Sequence, residues 1–337
     1  MLANKVFHSF FSICHMKILA FLVVSLLAPL SITTVVAQSF PQKRPVTLVV
    51  PFAPGGGTDA IARDLAKPLA DKLGVPVVVD NKGGAGGAIA AQQIAQAKAD
   101  GHTLLFVTST FVTAAATDRK LPYDVIKDFT PIAKLGSGPL LLVVNPQTGI
   151  NQVAGLIDNA KRNPEALNYV SAGQGSINHL SGELFAQRTG IKMTHVPYKG
   201  SGPATMDLIG GQAQIFFATV PTILNQVKAG KVKLIATTSK SRSKLFPDVP
   251  TVMESGVKSF DVGTWWGIVG PKDMHPDIVV TLNRIINESS ASESLVKRFE
   301  EEGADRFAGS PSEFGTSLRH ELDGWRKVVQ DAGLKID

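Results

Sequence analysis

Ser176 and His179 stand three residues apart, His179 and Glu183 four, and His320 and Glu321 side by side, pairings that would first suggest nucleophilic or metal chemistry. None has the surroundings that chemistry needs. No serine sits in a G-x-S-x-G elbow, which a hydrolase of that type uses to expose its nucleophile. His179 and Glu183 share a helical face at i, i+4 and would need a distant third ligand to hold a metal; H-E-x-x-H is absent, so a helix-face pair or a cleft-lining histidine is the better reading. His320-Glu321 lacks its second histidine. The chemistry that recurs is anion binding by backbone. In V-T-L-V-V-P-F-A-P-G-G-G-T-D-A-I (Val46 to Ile61) a β-branched apolar run breaks into glycines and then opens a helix. Backbone N–H groups and the positive end of a helix dipole converge at such a turn. The turn matches neither G-x-x-x-x-G-K-[ST] nor G-x-G-x-x-G, so nucleotide binding has no support.

The elements that position these turns follow from periodicity. Val46 to Val50 is too short for a globular helix and apolar on both faces, as a buried parallel strand is. Ile61, Leu65, Leu69 and Leu73 give the next helix its apolar stripe, with Thr58 or Asp59 as its expected cap. A strand over Gly74 to Asp80, a glycine turn over Asn81 to Gly87, a helix over Ala88 to Ala97 and a strand over Thr103 to Val107 follow. Residues 168 to 219 repeat the series: Asn168 to Ser171, a turn at Gly173-Gln174-Gly175-Ser176, a helical stripe, a strand to Val196, a turn at Tyr198 to Gly202, a helix from Pro203 and a strand ending in Ala218-Thr219. Two such units predict an α/β protein of two lobes, each an open, mostly parallel sheet with its loops at the strands' carboxyl ends. The chain is expected to cross between lobes near Ile132 to Gly138 and near Val262 to Gly267. That places residues 38–135 and 265–337 in one lobe and 136–264 in the other, with a hinged cleft between them.

Composition narrows the class and the address. The 337 residues are 44% hydrophobic and 18% charged, the make-up of a folded globular protein. Met16-Lys17, an apolar run from Ile18 to Leu30 and Val35-Val36-Ala37 before Gln38 describe a secretory signal cut after Ala37, with Met16 an alternative start. Cleavage leaves 32 basic and 28 acidic side chains, spread without basic blocks, so nucleic acid is not an expected partner. It also removes Cys14, the only cysteine, and with it any disulfide, cysteine nucleophile or thiolate metal site.

With these residues in view, the chain resembles the Bug family, the periplasmic substrate-binding proteins of tripartite tricarboxylate transporters. The resemblance rests on Arg44 to Asp59, Val77 to Gly87, Gly175 to Leu180 (G-S-I-N-H-L), His195 to Ala204 (H-V-P-Y-K-G-S-G-P-A), Leu245 to Thr251 and Trp265-Trp266-Gly267. It implies a two-lobed venus-flytrap receptor of the type II-like kind that closes on a small carboxylate held by backbone amides and waters. It places Phe52, Ala53, Gly56, Gly57, Thr58 and Asp59 in the first lobe's wall of the cleft, with Ser109 and Phe111 nearby. Gly173, Gly175, Ser176, His179, Tyr198 and Thr219 would line the second. The expected partners are the ligand and the membrane permease subunits, the expected state a monomer, and no catalysis, metal or cofactor is expected. Handing the closed form to a membrane histidine kinase is the alternative that binding chemistry leaves open. Asp59 is read as a cap or a ligand contact, and Trp265 or Trp266 as hinge packing or an aromatic platform.

Overall fold

The computed structural model describes residues 40–117, 120–301, 303–331 and 333; the signal segment and its cut after Ala37 lie outside them. In the first lobe, β1 (Val46–Val50) runs parallel to β2 (Val77–Asn81) on one side and to β3 (Thr103–Thr108) on the other. Val46, Leu48 and Val50 pack into one core while Val49 packs into another on the opposite face, because successive residues of a strand alternate sides. Helix α1 (Gly57–Leu73) buries Ile61, Leu65, Leu69 and Leu73 on the first of these cores, and runs on through Pro68 to the left-handed Gly74. Helices α2 (Ala88–Ala95) and α3 (Ser109–Ala116) cover the other face.

The 16-residue strand β4 (Phe129–Val144) joins the lobes. Its first part pairs antiparallel with β9 (Gly263–Pro271) as far as Pro139 opposite Gly263. From Leu140 onward it pairs instead with β7 (Ile215–Thr219) and β8 (Lys233–Thr237). The first crossing therefore lies at Pro139–Leu140, just past the expected range, and the second enters β9 at Gly263. Helix α4 (Val153–Arg162), β5 (Asn168–Ser171), α5 (Ile177–Thr189), β6 (Thr194–Pro197), α6 (Ser201–Ile209) and α7 (Val220–Lys228) build the second lobe, with β5 parallel to both β6 and β7. Each half of the sheet is thus mixed. The expectation of mostly parallel sheets is corrected by β4, which leaves the first lobe for the second, and β9, which returns from it: both pair antiparallel with their neighbours.

Helices α8 (Pro276–Ser290) and α9 (Glu293–Glu301) return to the first core, and β10 (Asp305–Arg306) pairs with β4. Helix α10 (Pro311–Asp331) does more than complete the first lobe. Phe314, Leu318 and Leu322 lie in a first-lobe core, while Trp325 and Val328 pack on the second lobe's core. It is a third link between the lobes, which the search for strand crossings missed. Both tryptophans of the second crossing are buried: Trp265 donates Nε1–H to Glu321 and packs edge-on against Phe314, and Trp266 packs on Phe299.

Candidate ligand-binding site

The carboxyl ends of β1, β3, β5 and β7 face one another across the seam, and the lobes are in contact there. Thr113 Oγ1 donates to the Gly175 carbonyl at 2.7 Å and the Ile177 N–H to Thr110 Oγ1 at 3.3 Å. A Cβ on Gly57 would sit 2.5 Å from Pro221 Cβ, so the start of α1 meets the start of α7 where only glycine fits. What remains between them is a cavity of about 40 Å³. One water needs about 10–15 Å³ of such space, so the cavity has room for a carboxylate group with a water beside it.

The lining is uncharged: backbone, threonine and serine hydroxyls, Asn178 and a few apolar groups. Five helices begin at it, and they divide by how their first turns are satisfied. In α3 the Thr110 N–H goes to Thr108 Oγ1, and in α5 the His179 N–H goes to Ser176 Oγ. The caps of the other three, Gly56 for α1, Gly200 for α6 and Thr219 for α7, give no side-chain acceptor to their first turns. Each such N-terminus favours an anion by about 0.3–1 kcal/mol, and more where partly buried. Three of them aimed into one space without a cationic side chain form an anion cradle made of backbone.

The sequence-derived residues divide accordingly. Phe52, Ala53, Gly56, Gly57, Thr58 and Thr219 line the cavity. Phe111 lies one step away, lining a cavity of about 10 Å³ that shares Phe52, Thr108 and Thr110 with the first. Ser109 is buried against Thr264, its Oγ 3.0 Å from Thr264 Oγ1. Asp59 is neither a cap nor part of the lining. Its carboxylate reaches back to accept from the Gly55 N–H at 3.0 Å, from Asn81 Nδ2 at 2.9 Å and from Arg63 Nε at 3.0 Å. Burial opposes its charge, but the bonds from Arg63, Gly55 and Asn81 outweigh burial and hold the carboxyl below its usual range. Asn81 also donates to the Phe52 carbonyl, so this cluster fixes the shape of the first turn from behind.

In the second lobe the cavity is lined mostly by residues other than those expected. The Gly173 N–H goes to Ser171 Oγ, the Gly175 N–H to His179 Nδ1, and the Ser176 N–H to the Gly173 carbonyl. With their donors engaged, Gly173, Gly175 and Ser176 have no amide to offer a ligand, and His179, 6% exposed, sits beneath the turn outside the lining. Tyr198 turns away to give its hydroxyl proton to Asp207, and burial with that bond pushes its pKa up to about 12. Gly200, Ser201, Gly202 and Pro203 of the next turn take their place, together with Thr222 and Thr264. The signal that could have found them was present: a turn closing on proline inside a helix's first turn is as good an N-terminus as the one at Ser176. Neither Trp265 nor Trp266 reaches the cavity. A wider groove of about 1100 Å³ flanks the crossing strands, but its mixed lining of Arg188, Lys244, Asp261, Glu300 and their neighbours selects no ligand class.

This arrangement can be set beside known proteins. The profile of the tripartite tricarboxylate transporter family receptor matches residues 61–334. The chain belongs to this receptor family. Among solved structures it is 33% identical to the periplasmic binding protein BugD, with a TM-score of 0.84 over 87% of this chain and 99% of BugD. It is 34% identical to Rpa4515 of R. palustris, whose structure holds adipate, with a TM-score of 0.84 over 88% of this chain and 99% of that one. MatC of Rhodopseudomonas palustris, with bound malate, is 33% identical, with a TM-score of 0.81 over 86% of this chain and all of MatC. The family is the one that the motif stretches resemble, and the two-lobed binding-protein fold is the one that the repeated glycine turns implied.

Proposed function

We propose that the protein captures a small carboxylate between its lobes and presents the closed, loaded form to the membrane subunits of a tripartite transporter. The observation that carries this reading is the uncharged cavity onto which the α1, α6 and α7 N-termini open without side-chain caps. Backbone amides hold a planar anion in one orientation and avoid burying a cationic side chain, whose desolvation is costly. The ligands of two family structures, adipate and malate, are both dicarboxylates and agree in class. Export to the periplasm, with cleavage after Ala37, follows from the apolar segment at the start of the chain and from the periplasmic address of BugD. Because a ligand touching both lobes makes more contacts in the closed state, binding shifts the population toward closure.

Thermal unfolding with a panel of mono-, di- and tricarboxylates and their amides tests the reading. A carboxylate present at about 100 times its Kd stabilises the folded state by about 2.7 kcal/mol, and its amide should not. Equal stabilisation by acid and amide, or by neither across the panel, would remove the anion cradle as the recognition device.

A further inference from the structure

Beneath the Gly173–Gly175 turn, on the side away from the cavity, lie two stacked imidazoles that ligand contact leaves unexplained. The rings of His179 and His195 are 3.8 Å apart and 13° from parallel, with the Tyr169 ring 5.0 Å from His195. Each imidazole holds one end of the turn. His179 Nδ1 accepts the Gly175 N–H at 3.1 Å, which leaves the His179 proton on Nε2, 3.7 Å from Glu183. Ser171 Oγ accepts the Gly173 N–H and can donate to the Gly173 carbonyl, both at 3.1 Å. The same hydroxyl lies 2.6 Å from His195 Nε2, and its single proton can go to that nitrogen or to the carbonyl, so either atom of the Ser171–His195 bond can be the donor. The turn so held is the surface that meets the first lobe: the Gly175 carbonyl takes the Thr113 hydroxyl, and a Cβ on Gly175 would lie 3.0 Å from Ala114 Cα.

We infer that His179 and His195 are positioning residues for closure: as a neutral stacked pair they fix the Gly173–Gly175 turn in the shape that docks on α3, without touching ligand. This rests on the capture-by-closure reading above. The groups facing the pair are Tyr169 and Ser171 from β5 and Glu183 from α5. Tyr169 gives its hydroxyl proton to Glu183, and burial raises the pKa of both. Burial keeps the imidazoles themselves neutral, pulling His179 down to about 4, and, with the charge of His179 added, His195 to about 3. A proton on His179 Nδ1 would remove the acceptor of the Gly175 N–H and set a buried cation against the neutral His195 ring.

The test uses nitrogen-15 spectra, amide exchange and calorimetry on the full mature protein, with L-malate as probe. At pH 7 both imidazoles should read as neutral, with the His179 proton on Nε2. His179→Leu should speed exchange at Gly175 by about tenfold or more and weaken malate by a similar factor. His179→Asn carries its Oδ1 on the same Cγ as the lost Nδ1 and should keep both within about threefold, since the acceptor is restored. Should His179→Leu fail to fold, Ser171→Ala, which frees the other end of the turn, replaces it in both readouts. Unchanged exchange in the leucine variant, equal behaviour of leucine and asparagine, or a protonated imidazole at pH 7 would overturn the inference. Malate binding that is equal in all three proteins while exchange differs would also overturn it and leave the carboxylate reading standing. If the wild type takes up no malate, the exchange ratio alone decides the positioning role, and the loss falls on the carboxylate reading.

Discussion

The two glycine turns that meet at the seam are held in shape by opposite chemistry. Behind the first, an ionised Asp59 gathers the Gly55 N–H, Asn81 and Arg63, and Asn81 passes the hold on to the Phe52 carbonyl. Beneath the second, two neutral imidazoles and a serine take the place of charge. Their surroundings explain the choice. Arg63 is half exposed, so the first cluster keeps solvent on one side, whereas His179 on α5 is buried against Tyr169 of β5 and His195 of β6, where an unpaired charge would cost several kcal/mol. One task, immobilising a loop so that its amides or carbonyls are aimed correctly, is done by whichever polar groups the local solvent access permits.

The largest expected effect comes from the glycines themselves. Gly57 has a helical backbone, so Gly57→Ala should raise the melting temperature of the unliganded protein slightly, alanine being favoured over glycine in a helix by about 1 kcal/mol. Its Cβ nevertheless collides with Pro221 in the closed form, and carboxylate binding should weaken by about 100-fold, about 2.7 kcal/mol. Gly175 has φ +74°, so Gly175→Ala should lower stability and binding together. Calorimetry with parallel melting curves separates the two, and a Gly57→Ala protein that binds normally would show that the liganded form is less closed than this one.

Next in size is the loss of the charged clamp. Asp59→Ala leaves the Gly55 N–H and the Asn81 amide without their acceptor, which should cost about 1–3 kcal/mol in chemical denaturation. Most of that should return in Asp59→Asn, which keeps an acceptor oxygen. If asparagine is as damaging as alanine, the charge of Asp59 rather than its hydrogen bonding shapes the turn.

The smallest effect is the most diagnostic of the contrast, because the two turns should respond to acid in different windows. His179 has its pKa lowered on folding, so the native state holds fewer protons than the unfolded state between about 6.5 and about 4; stability is whole above that window and falls as pH drops through it. Asp59 is also lowered, from a reference of 3.8, and its contribution fades only below that reference. Hydrogen exchange at pH 5 should therefore show peptides covering residues 171–179 losing protection while those covering 52–59 keep theirs. The opposite order would mean that the imidazole pair is not what holds the second turn.

Much of this was legible along the chain. The strands, the α1 stripe, the repeated series and the first-lobe wall at Phe52 to Thr58 could be read directly, because each depends on residues close together and on periods of two or 3.6. Helices α3, α4 and α7 were not foreseen. The first begins on what reads as the polar tip of a strand, Thr108-Ser109-Thr110, and α7 follows β7 directly, Thr219 being both the last strand residue and the helix cap. In the second lobe two adjacent glycine turns carry similar helix starts, and spacing along the chain does not say which one turns its free amides to the cleft.

That choice belongs to tertiary structure. His179 lies four residues beyond Gly175 and occupies its amide, His195 comes from another strand to occupy Ser171, and the turn so satisfied is spent on the seam. The amino-acid sequence by itself determined that backbone donors stand at helix starts in glycine turns without arginine, with Lys82 and Lys199 as the cations of those turns, because glycine, proline and charge are properties of single positions. Which donors remain free depends on how each turn folds back on its own neighbours, here Ser171 and His179, and on the His195 ring that packs against both from another strand. Free valence at a turn is what packing leaves over, and only the folded chain sets that remainder.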